Sequence, residues 1–263
     1  MIQITSLSNP KIKALVKLEK ASKRAETGMF IVEGKKEIML CANAGFNISE
    51  LYYCPDIVDD LSLLQHSTLS QVQLFEITPS IFKKVAYRES RDGYLAVVQT
   101  RYLNLKEIKL SNSPLIIVLE AVEKPGNLGA VLRSADAAGA DAVIVCQKKT
   151  DIYNANTIRS SLGCIFTNQV VCCNNEECFE WLNQNNIYPY SAALTAHEFY
   201  HEQDFTQPTA LIFGTEADGL SSFWLNNCKK QIKIPMRGKI DSLNVSNSCA
   251  IVLFEACRQR NFL

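Results

Sequence analysis

The sequence IKIPMRGKIDSLNVSNSCAIVLFEACRQR, residues 232–260, decides how the second half of the chain is expected to fold. A short apolar run ends at Pro235, which cannot donate a hydrogen bond to a neighbouring strand and so marks a strand end or edge. From Val245 onward apolar residues recur at helical spacing on more than one face, which is typical of a buried helix. Ser242 and Asn244 stand where a helix takes its N-cap. The stretch therefore predicts a strand, a turn and a capped core helix.

The composition of the whole chain favours a soluble protein of one large or two modest domains. It has 263 residues, of which 47% are hydrophobic, and its 27 basic and 27 acidic side chains balance. Such a balance argues against a protein that coats nucleic acid indiscriminately. No run approaches the roughly 20 apolar residues of a membrane span. Ten cysteines without a secretory signal or a C-x-x-C pair favour a reducing compartment, and we expect a cytoplasmic protein.

Two alternating sets of strands and helices predict two α/β domains. Residues 1–103 form the first, and the polar stretch 104–113, which lacks an apolar period, is the predicted linker. Residues 114–263 form the second, in which continuous apolar strands such as Leu115–Leu119 indicate a parallel sheet covered on both faces. The basic excess in residues 1–40 fits either a phosphate-contacting arm or a solvated helix face.

The first candidate site is PGNLGAVLRSADAAGA, residues 125–140, directly after the first strand of the second domain. Gly126 lies at a helix start, where α/β sheets bind anions, but the pattern is not G-x-G-x-x-G and is a weak nucleotide signal. Asn127 is either an N-cap or a functional amide. Arg133 is either half of a surface ion pair or a functional guanidinium.

The second candidate site is ALIFGTEADGLS, residues 210–221, where a strand ends at Gly214 and Glu216 follows. Glycine at the carboxyl end of a strand lets a ligand approach the backbone closely. A tight turn with a solvated carboxylate explains the same residues.

A third pattern, His197-Glu198-Phe199-Tyr200-His201, matches the zinc-protease motif H-E-x-x-H. That chemistry needs both histidines on a stable helix, together with a third protein ligand. The segment lies between two predicted strands and nothing marks a third ligand, so we expect no metal centre here.

Taken together, three ordered segments resemble the motifs of the SpoU (TrmH-type) RNA 2′-O-ribose methyltransferases of the SPOUT superfamily. They are EKPGNLGAVLRSADAAGA, LIFGTEADGLS and IPMRGKIDSLNVSNSCAIVLFEACRQR. The segments LSNPKIKALVKL and FIVEGKKEI resemble the N-terminal substrate-binding domain of that family, which is related to a small ribosomal protein. The resemblance covers essentially the whole chain.

This resemblance implies an α/β domain whose C-terminal part threads into a deep trefoil knot, and a homodimer with active sites at the subunit interface. It also implies that S-adenosylmethionine binds in the knot, against Gly214, Ile234, Met236 and Leu243. The loop at Gly126, which residue patterns alone favour as the cofactor site, would then face the RNA instead.

The resemblance also implies the catalytic residues. Arg133 is expected to hold a phosphate and the adjacent ribose 2′-hydroxyl, since a guanidinium fork suits that geometry but stays protonated and is a poor base. Asn127, Glu216, Ser242 and Asn244 match the other polar motif positions and are expected to orient Arg133, the ribose or the loops.

The function predicted from the sequence is therefore methyl transfer from S-adenosylmethionine to a ribose 2′-hydroxyl of ribosomal or transfer RNA. An RNA-binding protein that kept the fold and lost catalysis is the alternative, and a zinc hydrolase using His197, Glu198 and His201 is a third. Calorimetry with S-adenosylmethionine separates the first two, because a degenerate binder should give no heat.

Overall fold

The computed structural model describes residues 2–87 and 92–262. Their contacts group the chain into two compact units, and each is described by itself below. The first unit contains residues 1–101 and 151–167, and the second contains residues 102–150 and 168–263.

The elements follow one another in the alternating order that the sequence predicts. Along the chain they are β1 (Ile2–Ile4), α1 (Pro10–Lys17), α2 (Ala21–Thr27), β2 (Met29–Glu33), α3 (Lys35–Asn43), β3 (Ile48–Tyr53), β4 (Gln73–Ile77), α4 (Pro79–Val85), β5 (Tyr94–Gln99), β6 (Leu115–Glu120), α5 (Pro125–Ala138), β7 (Ala142–Cys146), α6 (Ala155–Ser160), α7 (Cys164–Thr167), β8 (Val170–Cys173), α8 (Asn175–Gln184), β9 (Tyr188–Ala192), β10 (Glu198–Phe199), β11 (Thr209–Phe213), α9 (Ser222–Asn227), β12 (Lys230–Lys233) and α10 (Val245–Gln259). None of the helices in the described part of the chain is long and apolar enough to cross a membrane.

The first unit is built on a five-stranded sheet in the order β1-β4-β3-β5-β2. β4 pairs in parallel with β1 and β3, whereas β5 runs antiparallel to β3 and β2. Tyr52 and Phe75, on neighbouring strands, stack with ring centroids 4.8 Å apart in the core beneath α1 and α4.

Residues 151–167 complete the core of this first unit, although they follow β7 in the sequence. The Tyr153 ring stacks on Phe30 with centroids 4.3 Å apart, and Phe166 packs edge-on against Phe46 at 5.2 Å. Residues 164–167 form the short helix α7, and strand β8 starts after it at Val170. The predicted domain limits, 1–103 and 114–263, place residues 151–167 in the second domain. As limits between functional domains they stay a prediction.

The second unit is built on seven strands, all parallel, in the order β10-β12-β9-β11-β6-β7-β8. Every residue of β6, an interior strand between β11 and β7, is buried, as expected for a strand covered on both faces. The predicted α/β fold class, with a C-terminal parallel sheet, is confirmed.

Two helices that pack against each other, α5 and α10, bring separated motifs of this unit together. Of the two predicted caps of α10, Asn244 is the N-cap, and its side-chain oxygen accepts a hydrogen bond from the Ser246 amide at 3.0 Å. Helix α5 begins at Pro125, so Asn127 lies inside its first turn and is not its cap. Its amide is therefore available to other partners.

Candidate functional site

A closed loop follows β11 at the carboxyl edge of the parallel sheet, and Gly214 begins it. Thr215 and Gly219 exchange backbone hydrogen bonds of 2.9 and 3.1 Å. A Cβ atom on Gly214 would lie 2.1 Å from the carbonyl oxygen of Gly219, so no other residue fits this position without moving the loop. Glu216 lies between Thr215 and Gly219, at the exposed tip of the loop.

The far end of the loop is anchored on a buried carboxylate at the end of β6. The Glu120 side chain accepts hydrogen bonds from the Ser221 amide at 2.8 Å and the Ser221 hydroxyl at 2.6 Å. Asn175 donates to the same carboxylate at 2.5 Å and accepts from the Trp224 indole at 3.0 Å. Glu120 is only 4% exposed, so these donors satisfy a charge that water does not reach.

Beside the loop lies a cavity of about 310 Å³, in the size range of small-molecule sites. Its walls are the loop, the chain leaving β12 and the segment that enters α10. All four residues predicted to bind the cofactor line it, as do two of the predicted polar residues: Gly214, Ile234, Met236, Leu243, Glu216 and Ser242.

Glu216 is the centre of a polar network that joins all three sequence motifs. Its carboxylate accepts a hydrogen bond of 2.8 Å from the Asn127 amide and another from the Asn244 amide, and it forms an ion pair with Lys124. Asn244 also donates to the Asn127 oxygen at 3.2 Å. Hydrogen bonds from Lys124 and Asn127 hold the pKa of the Glu216 carboxyl below its usual value, so it is ionised at neutral pH.

The network fixes the rotamers of both amides. The Asn244 side-chain oxygen caps α10, and the side-chain nitrogen donates a hydrogen bond to Glu216. A single rotamer of Asn244 therefore serves both the cap and the network. Ser242 stands apart from these contacts, with its hydroxyl 3.1 Å from Asp241, although it lines the cavity.

Arg133 is not part of the network within this chain. It is exposed on α5, six residues beyond Asn127, which places it about 9 Å further along the helix and on another side of it. Within residues 2–87 and 92–262 it forms no hydrogen bond or ion pair. The structure therefore brings together Asn127, Glu216 and Asn244 and leaves Arg133 with a free guanidinium among the described residues.

The H-E-x-x-H pattern does not form the helix that zinc-protease chemistry requires. Glu198 lies in the two-residue strand β10 and pairs with Lys230 at 3.3 Å, and His201 lies in a 3₁₀ turn over Tyr200–Glu202. Both histidines are exposed. Within the described residues, neither histidine belongs to a group of three or more possible metal ligands.

Sequence reasoning missed two residues of this site, Lys124 and Glu120. Lys124 lies in the first motif, EKPGNLGAVLRSADAAGA, but nothing in the sequence indicated a partner at Glu216. Glu120 ends an otherwise apolar strand, LIIVLE, and a carboxylate at the end of a buried strand is the signal that could have identified it.

Comparison with known proteins shows what the two parts of the chain resemble. The SpoU rRNA Methylase family matches residues 114–254, and an MRM3-like substrate binding domain matches residues 9–96. A 23S rRNA (uridine(2479)-2′-O)-methyltransferase of Streptomyces viridochromogenes is 31% identical over 91% of this chain and 86% of its own. A 23S rRNA (guanosine(2553)-2′-O)-methyltransferase of Bacillus subtilis is 29% identical over 97% of this chain and 98% of its own.

Two solved structures are similar over nearly the whole chain. The crystal structure of an RNA 2′-O ribose methyltransferase has a TM-score of 0.86 and 36% identity, covering 99% of this chain and 100% of its own. An AdoMet-bound rRNA methyltransferase from Sinorhizobium meliloti has a TM-score of 0.89 and 28% identity, covering 97% of each chain. With the matched motifs and the parallel sheet, these findings show that the chain belongs to the SpoU rRNA methylase family.

Proposed function

We propose that the protein transfers a methyl group from S-adenosylmethionine to a ribose 2′-hydroxyl of ribosomal RNA. The observation that carries the proposal is the hydrogen-bonded set Asn127, Glu216 and Asn244, which unites three distant motifs beside one cavity. Ribosomal RNA is preferred over transfer RNA as substrate because similar proteins are 23S rRNA methyltransferases.

The cavity beside Gly214 fits the cofactor in size and chemistry. Its volume of about 310 Å³ suits a small molecule, and apolar side chains such as Ile234, Met236 and Leu243 suit the adenine ring and the aliphatic carbons of the cofactor. Gly214 itself keeps the adjoining loop closed. When bound there, S-adenosylmethionine supplies a methyl group on a positively charged sulfur.

Arg133 is the proposed catalytic residue. Its guanidinium binds the phosphate next to the target ribose and orients the 2′-hydroxyl for in-line attack. Because arginine stays protonated, the hydroxyl proton passes to solvent or to the phosphate. Asn127, Glu216, Ser242 and Asn244 position the loops around the ribose, and the network already formed in this structure supports that role for three of them.

We infer that the active protein is a homodimer. Arg133 is exposed and joins no residue of the network within the described part of its own chain, which is expected if the reacting groups meet at a subunit interface. Residues 1–103 serve as the RNA-binding domain, joined by a linker at 104–113 to the methyltransferase domain at 114–263. The chain from β12 into α10 forms the trefoil knot, and the protein acts in the cytoplasm.

The experiment that tests this function is the variant Arg133→Ala. We expect its methyl transfer to ribosomal RNA to fall by at least about 100-fold, since loss of orientation alone has that effect. Its affinity for S-adenosylmethionine, measured by calorimetry, should stay within about twofold of the parent protein. The RNA comes from cells that lack the protein, and 2′-O-methyl sites are mapped before and after the reaction.

The matched control is Arg258→Ala, which removes an exposed arginine of α10 that pairs with Glu255 in its own helix. It should leave both quantities unchanged. Full methylation by Arg133→Ala would refute the role of that residue. An unaltered protein that gives no heat with S-adenosylmethionine would instead support an RNA-binding protein without catalysis.

A further inference from the structure

Three cysteines from three different elements meet in the second unit, apart from the network described above. Cys146 ends β7, Cys173 ends β8, and Cys178 lies in the first turns of α8. Their sulfur atoms all lie within 4.8 Å of one another. Within the described residues, no other group of three or more His, Cys, Asp and Glu side chains brings its ligand atoms as close together.

We propose that Cys146, Cys173 and Cys178 bind one thiophilic divalent metal ion, such as zinc, at the carboxyl edge of the parallel sheet.

The spacing of the sulfur atoms fits this coordination. Zinc–sulfur bonds of about 2.3 Å place two ligand sulfurs about 3.8 Å apart in a tetrahedral site and about 4.0 Å apart in a trigonal one. The observed separations, none above 4.8 Å, require movements of less than about 1 Å, which cysteine rotamers supply. A disulfide would instead need one pair of sulfurs to come within about 2.05 Å and would leave the third thiol unused.

The fold holds the three sulfurs on one side of the sheet. Cys146 and Cys173 are direct neighbours in the register of β7 and β8, so their side chains leave the same face. A single residue, Asn174, lies between β8 and α8 and is the N-cap of the helix. The chain therefore turns sharply here, and Cys178 lies over the same face of the sheet. Cys172, one residue before Cys173, points to the opposite face of the strand.

The position of the cluster at the start of α8 also favours a bound cation with thiolate ligands. The positive end of α8 lies beside the sulfurs and favours their negative charge.

The ligand set selects the class of metal. Three sulfurs suit zinc or cadmium, whereas magnesium and calcium take oxygen ligands. Cys146 and Cys178 are fully buried and Cys173 is partly exposed, so an ion would enter past Cys173. A bound ion would tie α8 to the ends of two strands.

The test is a titration of the full chain, reduced with a phosphine and freed of metal with a chelator, with Cd²⁺ and then Zn²⁺. Sulfur-to-cadmium charge-transfer absorbance reports binding. We expect one equivalent of Cd²⁺ to bind, Zn²⁺ to displace it, and the thermal unfolding midpoint to rise with either ion. Cys173→Ser should lose the bound equivalent, whereas the matched control Cys172→Ser should keep it.

A second measurement uses the unaltered protein, so it tests the proposed metal binding even if Cys173→Ser does not fold. Cd²⁺ should protect Cys173 of the unaltered protein from iodoacetamide by at least tenfold in rate and leave Cys172 unprotected, as read by mass spectrometry. The proposal is overturned if the unaltered protein binds no Cd²⁺ against a competing chelator. It is also overturned if a folded Cys173→Ser binds equally, or if Cys172 is protected as much as Cys173.

Discussion

Glu120 and Ser221 are joined by two hydrogen bonds across 101 residues of sequence, of 2.8 Å from the Ser221 amide and 2.6 Å from its hydroxyl. Ser221 ends the loop that begins at Gly214, and Glu120 ends β6, an interior strand of the parallel sheet. The buried carboxylate therefore fixes the carboxyl end of a loop whose tip carries Glu216. The site is held in place from the interior of the sheet.

The first prediction concerns this anchor. Glu120→Ala leaves the Ser221 amide and the Asn175 side chain without their acceptor, and we expect the free energy of unfolding to fall by about 2–4 kcal/mol. Binding of S-adenosylmethionine should weaken as the loop loosens. Urea unfolding and calorimetry measure the two effects. Glu180→Ala, at an exposed position on α8, should change stability by no more than about 0.5 kcal/mol. Equal effects of the two variants would contradict the anchoring role.

The second prediction concerns the close approach at Gly214. A methyl group there meets the Gly219 carbonyl at 2.1 Å, so Gly214→Ala must open the loop. We expect the free energy of unfolding to fall by about 1–3 kcal/mol. We also expect S-adenosylmethionine binding to become undetectable. Gly238→Ala is the matched control, because a Cβ atom there meets nothing within 4 Å. Tight cofactor binding by Gly214→Ala would place the cofactor away from this loop.

The third prediction concerns the charge of Glu216. The pKa of its carboxyl is lowered from 4.5 in the folded state, so its ionised form stabilises the fold above that pH and the effect is lost as the pH falls through the lowered value. The stability difference between the parent protein and Glu216→Gln should be constant from neutral pH down to about 4.5 and shrink below it. Denaturant unfolding through the acid range measures this. A difference that grows on acidification would show that the carboxylate is not stabilised by Lys124 and Asn127.

The fourth prediction concerns a buried ion pair in the first unit. Arg24 is 5% exposed, and it donates to Asp151 at 2.6 Å and to the Leu18 and Glu19 carbonyls at 2.7 and 2.8 Å. Arg24→Ala should lower stability by about 3–5 kcal/mol, because Asp151, whose side chain is 17% exposed, then loses its ion-pair partner. The adjacent Lys23 makes only an exposed pair with Glu26, so Lys23→Ala should cost less than about 1 kcal/mol. Similar losses in the two variants would contradict this prediction.

The order and type of most elements could be predicted from the sequence because periodicity reports which faces of a segment are buried. The six buried residues of β6 and the capped helix α10 are examples in which local pattern and tertiary contact agree. Residues 61–69, by contrast, form two short 3₁₀ turns at Leu61–Gln65 and Ser67–Leu69, which have no such long-range period.

The site was only partly accessible to the same reasoning. Ordered motifs identified Asn127, Glu216 and Asn244, which the structure brings into contact. Spacing along a chain does not report which distant residues meet, so Lys124 and the link between Glu120 and Ser221 remained invisible. Cys146 and Cys173 likewise come from different strands, so spacing along the chain does not relate them.

The packing of residues 151–167 into the first unit limits how this protein can be divided. A fragment cut at the polar stretch 104–113 would carry Tyr153 and Phe166 away from Phe30 and Phe46, the rings that cover them here. Asp151 would likewise leave Arg24 behind. The fragment with residues 114–263 would expose the Tyr153 and Phe166 rings to solvent. The fragment with residues 1–103 would lose the side chains that cover part of its core. Anyone who wishes to isolate the catalytic half must therefore redesign that segment and cannot simply trim the N-terminus.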